Sequence, residues 1–109
     1  MSASELPIEV TVQEAADLRA KGAAIIDVRE PWEFENGHIE GALLIPLQSL
    51  PERVAEVPAD RPVIINCHHG GRSMRAVQFL RGQGHNHIAN LQGGIDRWSQ
   101  EIDPSIARY

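Results

Sequence analysis

The residues best suited to chemistry stand in one run, Cys67-His68-His69-Gly70-Gly71-Arg72-Ser73, and Cys67 is the only cysteine of the 109-residue chain. The thiolate is the nucleophilic form of cysteine. Cationic neighbours, inward-facing amides and a helix N-terminus all favour it. This run offers each of these. Arg72 and two histidines supply donors, and Gly70 and Gly71 allow the backbone to curl so that its N–H groups face inward. The same features make a nest for an anion. A resting thiolate would need no separate general base. The ordinary fate of a free cysteine is to be a small buried hydrophobe. A core cysteine is rarely followed by six residues of His, Gly, Arg and Ser, so the functional reading is preferred.

The flanking sequence indicates how the run is held. Pro62-Val63-Ile64-Ile65-Asn66 reads as a buried strand ending at Cys67, and Arg72 to Arg81 reads as a helix with an apolar stripe at Ala76, Val77 and Leu80. Upstream, Ile8 to Val12 opens as a strand. Thr11 and Glu14 form a capping box for a helix to Ala20, and Gly22 stops it. Ala24 to Val28 and Leu43 to Ile45 read as buried strands. Pro31 starts a short helix through Phe34, and a helix runs from Leu47 to Val54. His87 to Leu91 is the last strand, and Gly93-Gly94 turns the chain into a helix from Ile95 to Glu101. Strands alternating with helices through short links predict an α/β domain with a mainly parallel sheet. Such sheets place their sites at the carboxyl ends of strands, where both Asp27 and Cys67 fall.

Composition narrows the function. The length fits one compact domain, and 42% hydrophobic with 23% charged residues fits a globular one. A formal charge of −5 argues against nucleic acid and against an anionic membrane as partners. It also requires a local positive site if the substrate is a small anion. No internal disulfide is possible, and Met1 to Leu6 shows no basic, apolar leader, which makes the cytoplasm the expected compartment.

Taken together, the motifs resemble the rhodanese family over nearly the whole chain. Asp27-Val28-Arg29-Glu30 with Glu33-Phe34 is similar to its first signature. His38-Ile39-Glu40-Gly41-Ala42 with Ile45-Pro46 resembles the next. Cys67, Gly70, Arg72 and Ser73 match the Cys-x-x-Gly-x-Arg-Ser loop of single-domain members. Leu91-Gln92-Gly93-Gly94-Ile95 with Trp98 matches the closing segment. The resemblance implies one rhodanese-like domain over residues 1–109, with a central parallel five-stranded sheet and helices on both faces. It implies a sulfurtransferase in which Cys67 takes sulfane sulfur from thiosulfate or a protein persulfide and yields it to a thiol or cyanide. No cofactor is called for. Backbone N–H groups from His68 through His69, Gly70, Gly71 and Arg72 to Ser73 would hold the persulfide and the donor's anionic group. Related phosphatases use Cys-x5-Arg, a larger ring suited to phosphate. Here Arg72 follows Cys67 after four residues and Ser73 stands in that arginine's place.

Other candidates carry less. Asp27 and Arg29 are expected to pair and brace the active loop, as a structural pair rather than as catalysts. Arg72 could hold the donor's anion, or pair with an acidic neighbour such as Asp27. His38 is expected to close a loop by hydrogen bonding, and Trp32 could line the mouth of the site. No metal site is expected. Cys67, His68 and His69 adjoin too closely to form a tetrahedral set, and no second ligand pair with zinc spacing exists. The competing functions are a rhodanese-like module that binds a partner without turnover, and a phosphatase or arsenate reductase of the same fold.

Overall fold

The computed structural model describes residues 6–109; Met1 to Glu5, and with them most of the leader reading, lie outside it. Five parallel strands form one sheet: β1 (Glu9–Val10), β2 (Ala24–Asp27), β3 (Leu43–Leu44), β4 (Val63–Asn66) and β5 (Ile88–Leu91). Their spatial order is β1-β5-β4-β2-β3, so β4 lies at the centre. The helices are α1 (Val12–Ala20), α2 (Pro31–Asn36), α3 (Gly71–Gly82) and α4 (Gly94–Glu101). No helix among the described residues is long and apolar enough to cross a membrane.

Both sheet faces are covered, as the apolar strand runs require. Alternate residues of each strand face opposite ways. Ile25, Ile64, Ala89 and Leu91 pack with Ala15 of α1 and with Ile95 and Trp98 of α4. Ile26, Val63, Ile65 and Ile88 pack with Ala76, Val77 and Leu80 of α3. Cys67 belongs to this second face. It continues the alternation of β4 and therefore turns its sulfur toward the start of α3.

The structure departs from the expected elements at several points, and β2, β3 and β5 are each one residue shorter than expected. β1 stops at Val10 because Thr11 is the N-cap of α1: its hydroxyl accepts from the Glu14 amide at 3.1 Å while Glu14 Oε1 accepts from the Thr11 amide at 2.8 Å. α2 runs two residues past the expected end, to Asn36. β3 is an edge strand rather than a buried one, and Leu43 is exposed. In place of a helix from Leu47 to Val54 there are two 3-10 turns, Leu47–Glu52 and Val54–Glu56. Pro51 inside the first has no N–H and its ring opposes a regular α turn.

Candidate active site

Cys67 follows β4 directly, and four residues later the chain enters α3. The turn needs Gly70, whose φ of 112° lies in the left-handed region. Three donors reach the buried sulfur. The Gly70 amide donates to Cys67 Sγ at 3.1 Å, the Ser73 amide at 3.4 Å and the Ser73 hydroxyl at 3.3 Å. Ser73 lies in the first turn of α3, so two of these donors come from a helix N-terminus. The Ser73 hydroxyl divides its single proton between Cys67 Sγ and Asn90 Oδ1, and Asn90 Nδ2 donates to Glu9 Oε2 at 2.8 Å. These links tie the loop to β5 and β1.

α4 supports the loop from the other side. Ile95 N donates to Cys67 O at 2.8 Å and Asp96 N donates to His68 O at 3.1 Å. This approach depends on Gly94, with φ 62°, where a Cβ would lie 2.5 Å from both carbonyl oxygens. In a trans peptide the N–H opposes the C=O. Carbonyls turned toward α4 thus leave the His68 and His69 amides turned away from it, toward the sulfur side.

The charged residues form two linked pairs. Asp27 and Arg29 are fully buried, and Arg29 Nη2 lies 2.7 Å from Asp27 Oδ2. Arg29 also donates to Gly37 O at 2.8 Å and to the Tyr109 hydroxyl at 3.1 Å. Arg72 pairs not with Asp27 but with Glu33. Its Nη1 and Nη2 meet Glu33 Oε1 and Oε2 at 2.8 and 2.9 Å. The Tyr109 hydroxyl donates to Glu33 Oε2 at 2.6 Å, so it bridges the two pairs. The Arg72 hydrogen bonds hold the Glu33 carboxyl at about 2. The same contacts push Arg72 further above its ordinary value.

The pH dependence follows from this. A folded carboxyl value below the ordinary one near 4.5 adds stability above that ordinary value. The contribution is lost as pH falls through about 2. Glu33→Gln is therefore expected to melt several degrees below wild type at neutral pH. The gap should close as pH falls from about 5 toward about 2. Thermal melts across that range check this, and a gap independent of pH would contradict it.

The two histidines do not reach the sulfur. The His68 ring stacks on Tyr109 at 3.9 Å, and burial lowers its pKa, which favours the neutral ring. His69 is exposed, with Nε2 3.8 Å from Asp96 Oδ2. His68, His69 and Asp96 bring possible ligand atoms within 4.8 Å of one another. However, the His68 and His69 rings lie 3.9 Å apart at only 30°, so their in-plane lone pairs run side by side rather than converging. Arg108 Nε occupies the same carboxylate of Asp96 at 3.0 Å. The set is poorly arranged for a metal. His38 Nδ1 lies 2.9 Å from Phe34 O and closes its loop. Trp32 is exposed, and its ring meets that of Tyr109 in a T-shaped pair with centroids 6.1 Å apart. A depression of about 480 Å³ lined by Ala24, Leu43 and Arg61 lies at the amino ends of β2 and β3, away from this chemistry.

Glu33 as the partner of Arg72, and Tyr109 as the bridge, were not anticipated from the sequence. Glu33 is 39 residues from Arg72 and Tyr109 is 76 from Glu33. Only the acidic residue within the Glu33-Phe34 motif hinted at either.

Fold and loop together define an α/β protein in which a lone cysteine, set between a central strand and a helix, is held by backbone and hydroxyl donors. The rhodanese-like domain family matches residues 11–101, and the chain belongs to that family. It is 36% identical over 99 residues to a thiosulfate sulfurtransferase, GlpE, of Ectopseudomonas mendocina, covering 91% of each chain. It is 36% identical over 104 residues to a sulfurtransferase of Allochromatium vinosum, covering 95% of each. The crystal structure of a rhodanese-related protein from Thermoplasma volcanium superposes with a TM-score of 0.81 at 32% identity, over 88% of this chain and 94% of that one.

Proposed function

We propose that this protein is a sulfurtransferase that carries sulfane sulfur as a persulfide on Cys67. The observation that carries the reading is the convergence of Gly70 N, Ser73 N and Ser73 Oγ on Cys67 Sγ. The Cys67 thiolate attacks the outer sulfur of a donor, thiosulfate or a protein persulfide. The donor's S–S bond breaks, and sulfite or a thiolate leaves with the bonding pair. A thiol or cyanide then attacks the outer sulfur of the Cys67 persulfide and restores the thiolate. Amides already aimed at the developing charge lower the barrier without reorganising. The amides of His68 through Ser73 are the donors proposed to meet the outer sulfur. One domain suffices, because every group named lies on a single sheet and its connections. The absence of a second cysteine suits a reducing compartment, the cytoplasm.

The test is a paired assay of thiosulfate-to-cyanide transfer and of aryl phosphate hydrolysis. Transfer without hydrolysis is expected. Hydrolysis without transfer would support the phosphatase alternative. Neither activity, with no transfer from an alkyl persulfide either, would support a module that only binds.

A further inference from the structure

Three strong cations near the Cys67 loop have carboxylate partners: Arg72 with Glu33, Arg29 with Asp27 and Arg108 with Asp96. Arg75, exposed on α3, has no ion-pair partner among the described residues and lines a cavity with Leu47, Leu50 and Phe79. Burial holds His68 below its ordinary imidazole value, which disfavours a charge there. Within the loop itself, the attraction available to an anionic donor therefore comes mainly from backbone dipoles, against a chain charge of −5. Arg72 is the loop's own cation, and it is only half-buried. Both of its terminal nitrogens are nevertheless spent on one carboxylate that is itself 4% exposed. The Tyr109 hydroxyl and the Glu30 amide, at 2.6 and 2.9 Å, fix that carboxylate in place. The clamp is thus built into the fold, and a passing anion does not easily displace it.

We propose that Glu33 is a specificity-determining residue: by holding Arg72 in a two-point ion pair it makes the site discriminate against small dianionic sulfur donors and favour persulfides of at most single charge. The inference rests on the sulfurtransferase reading above. Charge decides it. Removing a nearby negative charge favours a bound dianion by twice the energy it gives a monoanion, so the rate factor for the dianion is the square of the other. Loading by an alkyl persulfide is balanced without any co-reactant. The Cys67 thiolate bonds to the outer sulfur, the alkyl thiolate leaves with the electron pair, and the proton remains on the persulfide or passes to solvent.

The experiment compares wild type, Glu33→Gln and Glu33→Asp with thiosulfate and with an alkyl persulfide as donors, at low salt and at about 0.3 M. In Glu33→Gln, kcat/KM for thiosulfate is expected to rise about tenfold, and that for the alkyl persulfide about threefold. The thiosulfate gain should shrink at high salt, and Glu33→Asp should keep the wild-type donor ratio. A purely structural role would change both donors equally. An unchanged donor ratio in folded Glu33→Gln overturns the proposal. If that variant does not fold, wild type decides. A thiosulfate rate that is flat or rises with salt supports a neutralised Arg72, and a steep fall overturns it. Failure of both donors to load wild-type Cys67 would refute the sulfurtransferase reading itself, and the inference with it.

Discussion

Cys67→Ser is expected to lose sulfur transfer by more than about 10³-fold, the scale on which removing a nucleophile acts, while melting within a few degrees of wild type. Serine keeps the size and the acceptor that Gly70 N, Ser73 N and Ser73 Oγ require at this position. The folding cost should therefore stay within about 1 kcal/mol. The hydroxyl cannot replace the thiolate, because it is not ionised at neutral pH and cannot carry a transferable outer sulfur. Steady-state transfer kinetics, read beside thermal melts, check both halves. Retained transfer in a folded serine variant would show that sulfur passes directly from donor to acceptor.

The second large effect belongs to Arg29. Its guanidinium is fully buried and holds Asp27 through Nε at 2.9 and 3.0 Å and through Nη2 at 2.7 Å. It also satisfies the carbonyls of Glu33 and Gly37 at 3.3 and 2.8 Å. Arg29→Met leaves the Asp27 carboxylate buried with the Arg29 amide as its remaining partner, at 3.0 Å. Breaking one side of such a pair costs about 3–5 kcal/mol. The melting temperature should fall by about 15 °C or more. Replacing both partners together, as Asp27→Leu with Arg29→Met, should recover part of the loss, because no lone charge then stays buried. A loss of only a degree or two in Arg29→Met would mean that water reaches Asp27. On this account the pair braces the turn from β2 into α2. Transfer per folded molecule should change far less than stability.

Features set by neighbours in the chain could be read from the sequence. The Thr11-to-Glu14 box spans three residues, and its two hydrogen bonds form as expected. β4 and α3 appear within a residue or so of their expected bounds, because an apolar run of strand length and a stripe at helical spacing each carry their own period. Asp27 and Arg29 lie two apart and pair as expected, but the pair holds the α2 segment and Tyr109 rather than bracing the Cys67 loop directly. Features set by the path of the chain in space could not be read. Leu43 in an apolar run looks buried until the strand order puts β3 at the edge. Asp27 is the acidic neighbour that sequence suggests for Arg72, yet α2 brings Glu33 to it from the β2-to-β3 crossover. Tyr109 had no local signal at all. It reaches His68 because the segment after α4 folds back, with Ser99 Oγ donating to Ile106 O at 2.6 Å.

The most direct test of the account is the intact mass of wild-type protein after incubation with a sulfur donor and removal of the excess. A gain of the mass of one sulfur atom is expected, located to Cys67, removed by cyanide with release of thiocyanate and absent from Cys67→Ser. No mass gain with thiosulfate or with a persulfide donor, or an equal gain in the serine variant, would contradict it.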